Sequence, residues 1–367
     1  MNTNHFKYSI VTVTYNCADT IERTIQSVLG QTYNNIEYIV VDGDSTDGTK
    51  AILDRYSKQI AHYISEPDDG LYYAMNKGIA MATGDFIGFL NGDDYYTNSR
   101  VIATVNQYVQ ENVDILAGRI SVNGVMSPDH SKIQLNTMRK QMAIPHPAMF
   151  TRKSLFDKIG RFDVHYRIAA DYDWTLRAYE HGAEFLLIDD CLVNFDPGGL
   201  SSSIKSCVET AEIVIKNEHC NVEEMKRKYI TNVLLLTLRN SLRQCAAFDQ
   251  KFLLYRVHTW IIWGTGTWGK RLANYVGNTH LFQISCFMES RGKVENFAGH
   301  SVYAYQKERV TAPILIATSL YVDDISARLS QDGFCRGKDY FTLTDVAETM
   351  NLDGTEAADA IREIRNL

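Results

Sequence analysis

The chain has 367 residues, of which 45% are hydrophobic, so it can bury a large core and form more than one domain. A formal net charge of −7 gives no general electrostatic reason to bind nucleic acid. Its seven dispersed cysteines include no C-x-x-C pair, which argues against a disulfide framework or a zinc site and favours a reducing cytoplasm. We expect neither export nor a transmembrane helix, because no long apolar run is present.

The N-terminal part of the chain alternates between strand and helix patterns. β-Branched runs end in polar residues, and between them apolar residues recur at helical spacing, as at Ile21, Ile25 and Val28. This alternation predicts a parallel α/β sheet of the nucleotide-binding type, whose strands end at one crevice. The predicted strands cover 8–16, 36–41, 62–65 and 86–90, and the predicted helices include 21–29 and 71–82.

A polar cluster, Asn91-Gly92-Asp93-Asp94, follows the strand at 86–90 directly. Ligands of open α/β sheets bind at the carboxyl ends of the strands. Carboxylates at that place suit Mg²⁺ or Mn²⁺, either of which would neutralise a bound diphosphate. A simple polar turn after a core strand accounts for the same residue types.

Four motifs follow one another in the N-terminal part of the chain: TVTYN at 12–16, VVDGDSTDGT at 40–49, DG with AMNKG at 69–70 and 74–78, and GD with LNGDD at 84–85 and 90–94. In this order they resemble the motifs of the inverting family 2 glycosyltransferases of the GT-A fold. The resemblance covers roughly residues 7–205 and is closest to bacterial enzymes of exopolysaccharide and colanic-acid type gene clusters. Periodicity and spacing alone predict only a nucleotide-binding α/β enzyme.

The resemblance implies a donor site for a nucleoside-diphosphate sugar, with UDP as the first choice of nucleotide. Thr12 and Tyr15 would lie against the nucleobase, and Asp42 would hydrogen-bond its edge. Asp69 and Asn76 match positions that border the donor, although loop and helix capping is the alternative for both.

The metal site implied by the resemblance departs from the family pattern. Asn91 stands where the family has the first carboxylate of its DxD signature, which leaves Asp93 as the metal ligand and predicts weaker binding of Mn²⁺ or Mg²⁺. Asp94 could assist the metal or cap the next segment, and the cap is the favoured prediction. Gly43 displaces Asp44 by one position, so we expect Asp44 to be a turn or cap residue.

Inversion at an anomeric carbon needs a general base that takes the proton of the acceptor hydroxyl. By resemblance this base is Asp171, at the start of a predicted helix, and an N-cap is the alternative role for it. Asp173, two residues further on, would point elsewhere. His146, between two prolines, is predicted to contact the acceptor or a phosphate, with a packed loop histidine as the alternative. The segment 197–203 is predicted either to close over the diphosphate or to be a plain linker.

Residues 226–239 join a basic cluster to an apolar helix. Such a helix could lie on an anionic bilayer and bring the site to a lipid-linked acceptor. The ordinary alternative is a helix packed between domains or subunits.

The last part of the chain predicts a second α/β unit. A strand at 260–263 runs into Gly264, Gly266 and Gly269, a helix at 270–276 and a strand that ends at Glu289. This is the order of a Rossmann-type unit, in which the glycines approach a phosphate. A structural or regulatory role is favoured over NAD-dependent catalysis, because no set of dehydrogenase catalytic residues follows this motif. Self-association through the surface of this unit is a further alternative.

We therefore predict a GT-A glycosyltransferase domain at 1–205, a helical connector at 206–257 and a smaller Rossmann-like α/β domain at 258–367. The expected reaction is metal-dependent sugar transfer to a glycan or lipid-linked oligosaccharide in surface polysaccharide biosynthesis. It would take place in the cytoplasm, at the inner face of the membrane. The alternatives are a sugar nucleotidyltransferase, although no Gly-rich triphosphate loop is evident, and a noncatalytic nucleotide sensor.

Overall fold

The computed structural model describes residues 5–196, 203–217, 220–243, 253, 259–279, 283–289, 296–318, 322–350, 352 and 355–367. The chain divides into two units, one up to residue 222 and one from residue 223. The domain limits predicted at 205 and 257 stay predictions.

The first unit is a mixed sheet with helices, which agrees with the α/β class expected from the sequence. The strand order is β3-β2-β1-β4-β8-β6-β9-β5, with β7 paired to β6. Its strands are β1 (Tyr8–Thr14), β2 (Ile36–Asp42), β3 (His62–Ser65), β4 (Phe86–Phe89), β5 (Tyr95–Tyr96), β6 (Ile115–Val122), β7 (Val125–Met126), β8 (Met149–Arg152) and β9 (Phe185–Phe195). Its α-helices are α1 (Ile21–Leu29), α2 (Thr49–Tyr56), α3 (Leu71–Met81), α4 (Val101–Tyr108), α5 (Lys153–Ile159), α6 (Ala170–Glu180) and α7 (Ile204–Lys216).

The first four strands run parallel, as predicted, and β8 is antiparallel to β4. All seven residues of β1 are buried at the centre of this sheet. Helix α3 packs closely against β1, because a Cβ at Gly78 would lie 2.3 Å from a methyl carbon of Val11. Glycine at this position therefore sets the distance between the helix and the sheet.

The strand register brings the polar ends of four strands to one edge of the sheet. Thr14 pairs with Asp42, and Asp42 pairs with Ser65. The Gly92 N–H donates to the Val13 carbonyl at 3.0 Å, which places the turn after β4 beside the end of β1. The crevice expected from the sequence is therefore at this edge.

Side chains also join the loops that follow β1 and β2. The Asn16 N–H donates to the Ser45 hydroxyl at 2.8 Å, and the Asn16 side-chain oxygen accepts the Thr46 N–H at 2.8 Å. The Asp47 carboxylate accepts the Ala18 N–H at 2.9 Å. Much of the 40–49 motif thus fixes the shape of the crevice wall.

At the opposite edge, the buried Glu37 carboxylate is held by neighbouring strands and loops. It accepts hydrogen bonds from Lys7, from the Ser9 hydroxyl and from both the N–H and the hydroxyl of Thr83, at 2.6–2.9 Å. Burial alone would raise the pKa of Glu37, but these hydrogen bonds outweigh it and lower the pKa to about 2. Glu37 is therefore ionised when the protein is folded.

We expect Glu37→Gln to lower the free energy of unfolding at pH 7 by about 2 kcal/mol. The folded pKa lies below the unfolded one, so the stabilisation is complete above the unfolded pKa of about 4.3 and is lost as pH falls through about 2. Thermal unfolding of the wild-type chain and of Glu37→Gln between pH 7 and pH 2 measures the effect. The difference between their melting temperatures should become smaller as the pH falls. Glu66→Gln, which removes an exposed partner of Lys77, is the control and should change little. A difference in melting temperature that does not change with pH would contradict this role for Glu37.

The second unit has its own parallel sheet and its own buried core, which includes Ile261, Met288 and Ile316. The strand order is β12-β13-β11-β10-β14-β15, and only β12 is antiparallel to its neighbour. Its strands are β10 (Thr259–Trp263), β11 (Gln283–Glu289), β12 (Asn296–Phe297), β13 (His300–Ala304), β14 (Ile314–Ile316) and β15 (Tyr340–Thr342). Its helices are α8 (Val222–Arg243), α9 (Thr267–Thr279), α10 (Val322–Gln331), α11 (Leu343–Ala347) and α12 (Glu356–Asn366).

Helix α8 contains the segment that was considered for membrane contact. Its apolar residues Met225, Tyr229, Val233 and Leu238 are all buried. Ile230, Leu235 and Leu236 are only partly buried, so contact of this helix with a bilayer stays a prediction. Among the described helices, none has the length and apolar character needed to cross a membrane.

Candidate functional site

Tyr15, Gly43 and Asp68 form an accessible wall at the edge of the crevice. Tyr15 is 62% exposed. A Cβ at Gly43 would lie 3.3 Å from the Tyr15 ring and 3.2 Å from an Asp68 carboxylate oxygen, so all three residues are neighbours. An exposed aromatic ring beside a carboxylate suits a nucleobase, which offers a flat face and ring N–H groups.

Sequence reasoning selected Asp69 at this place and missed Asp68. Asp69 is exposed, whereas Asp68 lies beside Gly43 and caps its own turn by accepting the Gly70 N–H at 2.9 Å. The two acids are adjacent in the chain, and only the fold of the turn tells them apart.

Two of the predicted donor-binding side chains do not reach the crevice. Thr12 is fully buried, and its hydroxyl accepts a hydrogen bond from Tyr38 at 3.1 Å. Asp42 is also fully buried, and its carboxylate accepts the Ser45 N–H at 3.0 Å, the Ser65 hydroxyl at 2.7 Å and the Ser45 hydroxyl. Both side chains support the crevice from beneath, so we withdraw the predicted contacts with the nucleobase.

Asn76 is likewise a structural residue. Its amide donates to the Phe162 carbonyl at 3.0 Å and accepts the Phe162 N–H at 3.1 Å. These paired bonds use the amide in both directions and join α3 to the segment that precedes α6. The capping alternative was therefore closer to the observed role than contact with a donor.

The turn after β4 contains a group of mutually repelling carboxylates. Burial raises the pKa of Asp94 to about 7, and the negative charge of Asp93 contributes. Burial likewise raises the pKa of Asp93, and the charge of Asp196 adds to this effect. Asp196, at the end of β9, was missed from the sequence because it lies about 100 residues away from the other two acids.

Asp94 was predicted to cap the following segment, but the structure gives its carboxylate other partners. Its carboxylate is fully buried and accepts the Asp196 N–H at 3.0 Å and an N–H of the Asn91 amide at 3.4 Å. Asp94 therefore joins the turn after β4 to the end of β9.

The same turn leaves two buried oxygen atoms without hydrogen-bond partners among the described residues, Asn91 Oδ1 and Thr14 Oγ1. A cation would satisfy such oxygens and would relieve the repulsion among the three acids. Within the described parts of the chain, no three acidic, histidine or cysteine side chains form a complete metal-ligand set. Mg²⁺ commonly needs only one or two protein carboxylates, because substrate phosphates and water supply its other ligands. The residues present thus fit a cation that is shared with a diphosphate.

Asp171 lies in the first turn of α6 and is half-buried. Its Oδ1 accepts the Tyr72 hydroxyl and the Tyr172 N–H, both at 2.9 Å. Among the described residues, no hydrogen bond is made to Oδ2. One oxygen of the carboxylate is thus held in place by two hydrogen bonds, whereas the other is not held in this way.

His146 packs against the last residue of β4, Phe89, and lies near enough to Asp171 to feel its charge. Its ring stacks on Phe89 at 5.4 Å and meets the edge of Phe162 at 5.7 Å, and it is only 8% exposed. Burial lowers the pKa of His146, although the negative charge of Asp171 opposes this, so the ring is neutral at pH 7. The packed alternative describes most of this environment, and contact with an acceptor or a phosphate stays a prediction. The loop predicted to close over the diphosphate falls at 197–202, outside the described residues.

In the second unit, the glycine motif and Glu289 meet at the carboxyl ends of β10 and β11. Gly264 has a φ of 120°, and a Cβ at Gly269 would lie 2.3 Å from the Gly264 carbonyl oxygen, so both positions require glycine. The Thr265 hydroxyl donates to the Glu289 carboxylate. The expected proximity of Gly264, Gly266, Gly269 and Glu289 is observed, whereas nucleotide binding stays a prediction.

We expect Gly266→Val to abolish binding of a dinucleotide if this loop holds phosphate. A Cβ at position 266 meets no other atom within 4 Å, so the fold should tolerate the valine while a phosphate approaching the loop would not. Calorimetry with NAD⁺, on the wild-type chain and on the variant with an unchanged melting temperature, makes the comparison. Equal binding by the two proteins, or no binding by either, would leave the glycines as turn residues only.

Comparison with known proteins identifies the family of the N-terminal part of the chain. Residues 9–170 match the family described as Glycosyl transferase family 2. An uncharacterized glycosyltransferase of Mycobacterium tuberculosis is 34% identical over 209 residues, which are 53% of this chain and 76% of that protein. A PGL/p-HBAD biosynthesis glycosyltransferase of Mycobacterium bovis is 29% identical over 181 residues, which are 48% of this chain and 71% of that protein.

Two solved structures are also similar at low identity. One is S. aureus TarS 1–349 in complex with UDP-GlcNAc, with a TM-score of 0.49 and 18% identity, covering 74% of this chain and 80% of that one. The other is the mannosyltransferase PcManGT from Pyrobaculum calidifontis in complex with GDP-Man and Mn²⁺, with a TM-score of 0.48 and 20% identity, covering 60% and 66%.

The chain belongs to glycosyl transferase family 2, and it is a glycosyltransferase. This confirms the predicted family and the predicted type of the N-terminal α/β domain.

Proposed function

We propose that the chain is a metal-dependent, inverting glycosyltransferase that uses a nucleoside-diphosphate sugar, with UDP as the preferred nucleotide. The observation that carries the proposal is the turn after β4. Burial, together with the charges of neighbouring acids, raises the pKa of both Asp93 and Asp94, and the turn holds a buried amide oxygen with no partner among the described residues. A site for a cation and a diphosphate accounts for both features.

The nucleobase would stack on Tyr15 at the accessible wall. Asp68, which lies beside Gly43, would take the role first given to Asp42 and accept a ring N–H. Uracil, thymine and guanine each offer such an N–H, so this contact supports the class of donor more strongly than the choice of UDP. Asp69 would border the donor from the exposed side of the same turn.

In the proposed reaction, Asp93 would hold Mn²⁺ or Mg²⁺, and Asn91 would contact a sugar hydroxyl. A bound cation would stabilise the charge of the departing diphosphate. Asp171 Oδ2 would take the proton of the acceptor hydroxyl. At the same time the acceptor oxygen would bond to the anomeric carbon, and the bond between that carbon and the diphosphate would break. Attack from the side opposite the leaving group inverts the anomeric configuration.

The acceptor and location follow from the resemblance in the sequence. We propose a glycan or lipid-linked oligosaccharide of surface polysaccharide biosynthesis, at the cytoplasmic face of the membrane. Membrane contact would use the exposed basic residues of α8, such as Arg227, together with its partly buried apolar residues Ile230, Leu235 and Leu236.

A panel of UDP-, GDP- and dTDP-sugars, assayed for nucleotide release with Mn²⁺ and with EDTA, tests the proposal. We expect release from UDP-sugars that depends on the metal, tight binding of UDP by calorimetry, and an inverted product by NMR. Failure to bind any of the three nucleotides would overturn the donor site. Release of pyrophosphate from a nucleoside triphosphate and a sugar phosphate would indicate the nucleotidyltransferase alternative, and binding without turnover would indicate the sensor.

A further inference from the structure

Tyr72 connects the donor side of the crevice to Asp171. It lies in the first turn of α3, directly after the turn that contains Asp68 and Asp69, and it is 3% exposed. Its hydroxyl lies 2.9 Å from Asp171 Oδ1 and 2.7 Å from the Ile168 carbonyl oxygen. Burial and the charge of Asp171 keep the pKa of Tyr72 well above its ordinary value, so the hydroxyl stays protonated and acts as a donor.

The segment that precedes Asp171 is held from the other side by Glu209 of α7. The buried Glu209 carboxylate accepts three consecutive backbone N–H groups, those of Arg167 at 3.1 Å, Ile168 at 2.7 Å and Ala169 at 3.0 Å. The backbone before α6 is thus fixed, and the remaining freedom of Asp171 is rotation of its own side chain. The Tyr72 hydroxyl restricts that rotation.

We propose that Tyr72 is a positioning residue for the Asp171 carboxylate: it holds Oδ1 so that Oδ2 faces the substrate. This inference rests on the proposed function of Asp171 as the base. Because Tyr72 also lies in the first turn of the helix that follows the Asp68–Gly70 turn, it would fix the base relative to the donor wall. A general base works only when its oxygen lies within hydrogen-bond reach of the proton that it takes.

Tyr72→Phe removes the hydroxyl and keeps the ring. We expect kcat for nucleotide release from the best UDP-sugar to fall about tenfold, while KM and the affinity for UDP change less than about twofold. Tyr8→Phe is the matched control, because Tyr8 is also buried, lies outside the candidate site and donates its hydroxyl to Asn106 Oδ1 at 3.2 Å. It should lose a similar amount of thermal stability and retain kcat.

A double variant separates positioning from a merely structural role. If Tyr72 acts through Asp171, adding Tyr72→Phe to Asp171→Asn should lower the residual rate no further. An equal loss in both backgrounds, or a kcat for Tyr72→Phe like that of Tyr8→Phe, would overturn the inference while the proposed function stands. If neither the wild-type chain nor any variant releases nucleotide from any donor, the proposed function fails, and this inference fails with it.

Discussion

Asp171→Asn is expected to lower turnover about a hundredfold or more, which lies within the usual range for loss of a general base. The amide oxygen can still accept the Tyr72 hydroxyl and the Tyr172 N–H, so the geometry around α6 should persist. What is lost is the second carboxylate oxygen as a proton acceptor. Steady-state nucleotide release measures the rate, and calorimetry with UDP should give nearly unchanged affinity.

Asp173→Asn is the matched control for this variant. Asp173 lies on the same helix, and its carboxylate accepts a hydrogen bond from Arg177 Nε at 2.9 Å. We expect turnover to remain within about twofold of wild type, because only an ion pair within the helix is weakened. Full activity in Asp171→Asn would remove Asp171 from the mechanism, and equal loss in both variants would point to damage to α6.

Asp93→Asn is expected to weaken Mn²⁺ binding at least about tenfold, and to weaken donor binding with it. The amide retains the shape of the side chain but supplies no charge, and Asn91 next to it already lacks one. Calorimetry with Mn²⁺ in the presence of UDP measures the first effect, and the KM for the donor measures the second.

Asp44→Asn provides the control for a nearby carboxylate. Asp44 is partly exposed and pairs with Lys50, and its φ of 65° is one that asparagine also adopts. We expect metal and donor binding to stay unchanged. If Asp93→Asn binds Mn²⁺ as tightly as Asp44→Asn does, the assignment of Asp93 as the metal ligand is wrong.

The sequence by itself determined the alternation of strands and helices and the edge at which the site lies. The strands around Val11, Val40 and Phe86 are encoded by short buried runs, and the acidic turn follows the last of these directly. Periodicity reports which residues are buried, and the polar ends of parallel strands meet at one edge whatever the rest of the fold does. The motifs supplied the family, and the comparisons confirmed it.

Only the tertiary structure decided which polar side chains reach the crevice. Thr12, Asp42 and Asn76 carry suitable chemistry, but the fold turns them toward Tyr38, Ser65 and the Phe162 backbone. Asp196 and Tyr72 gain their roles from contacts with Asp94 and Asp171, about 100 residues away in each case. Local sequence encodes propensity and burial over a few turns of chain, whereas such contacts depend on how distant strands and helices pack. The residues that surround a proposed catalytic group are therefore settled by packing.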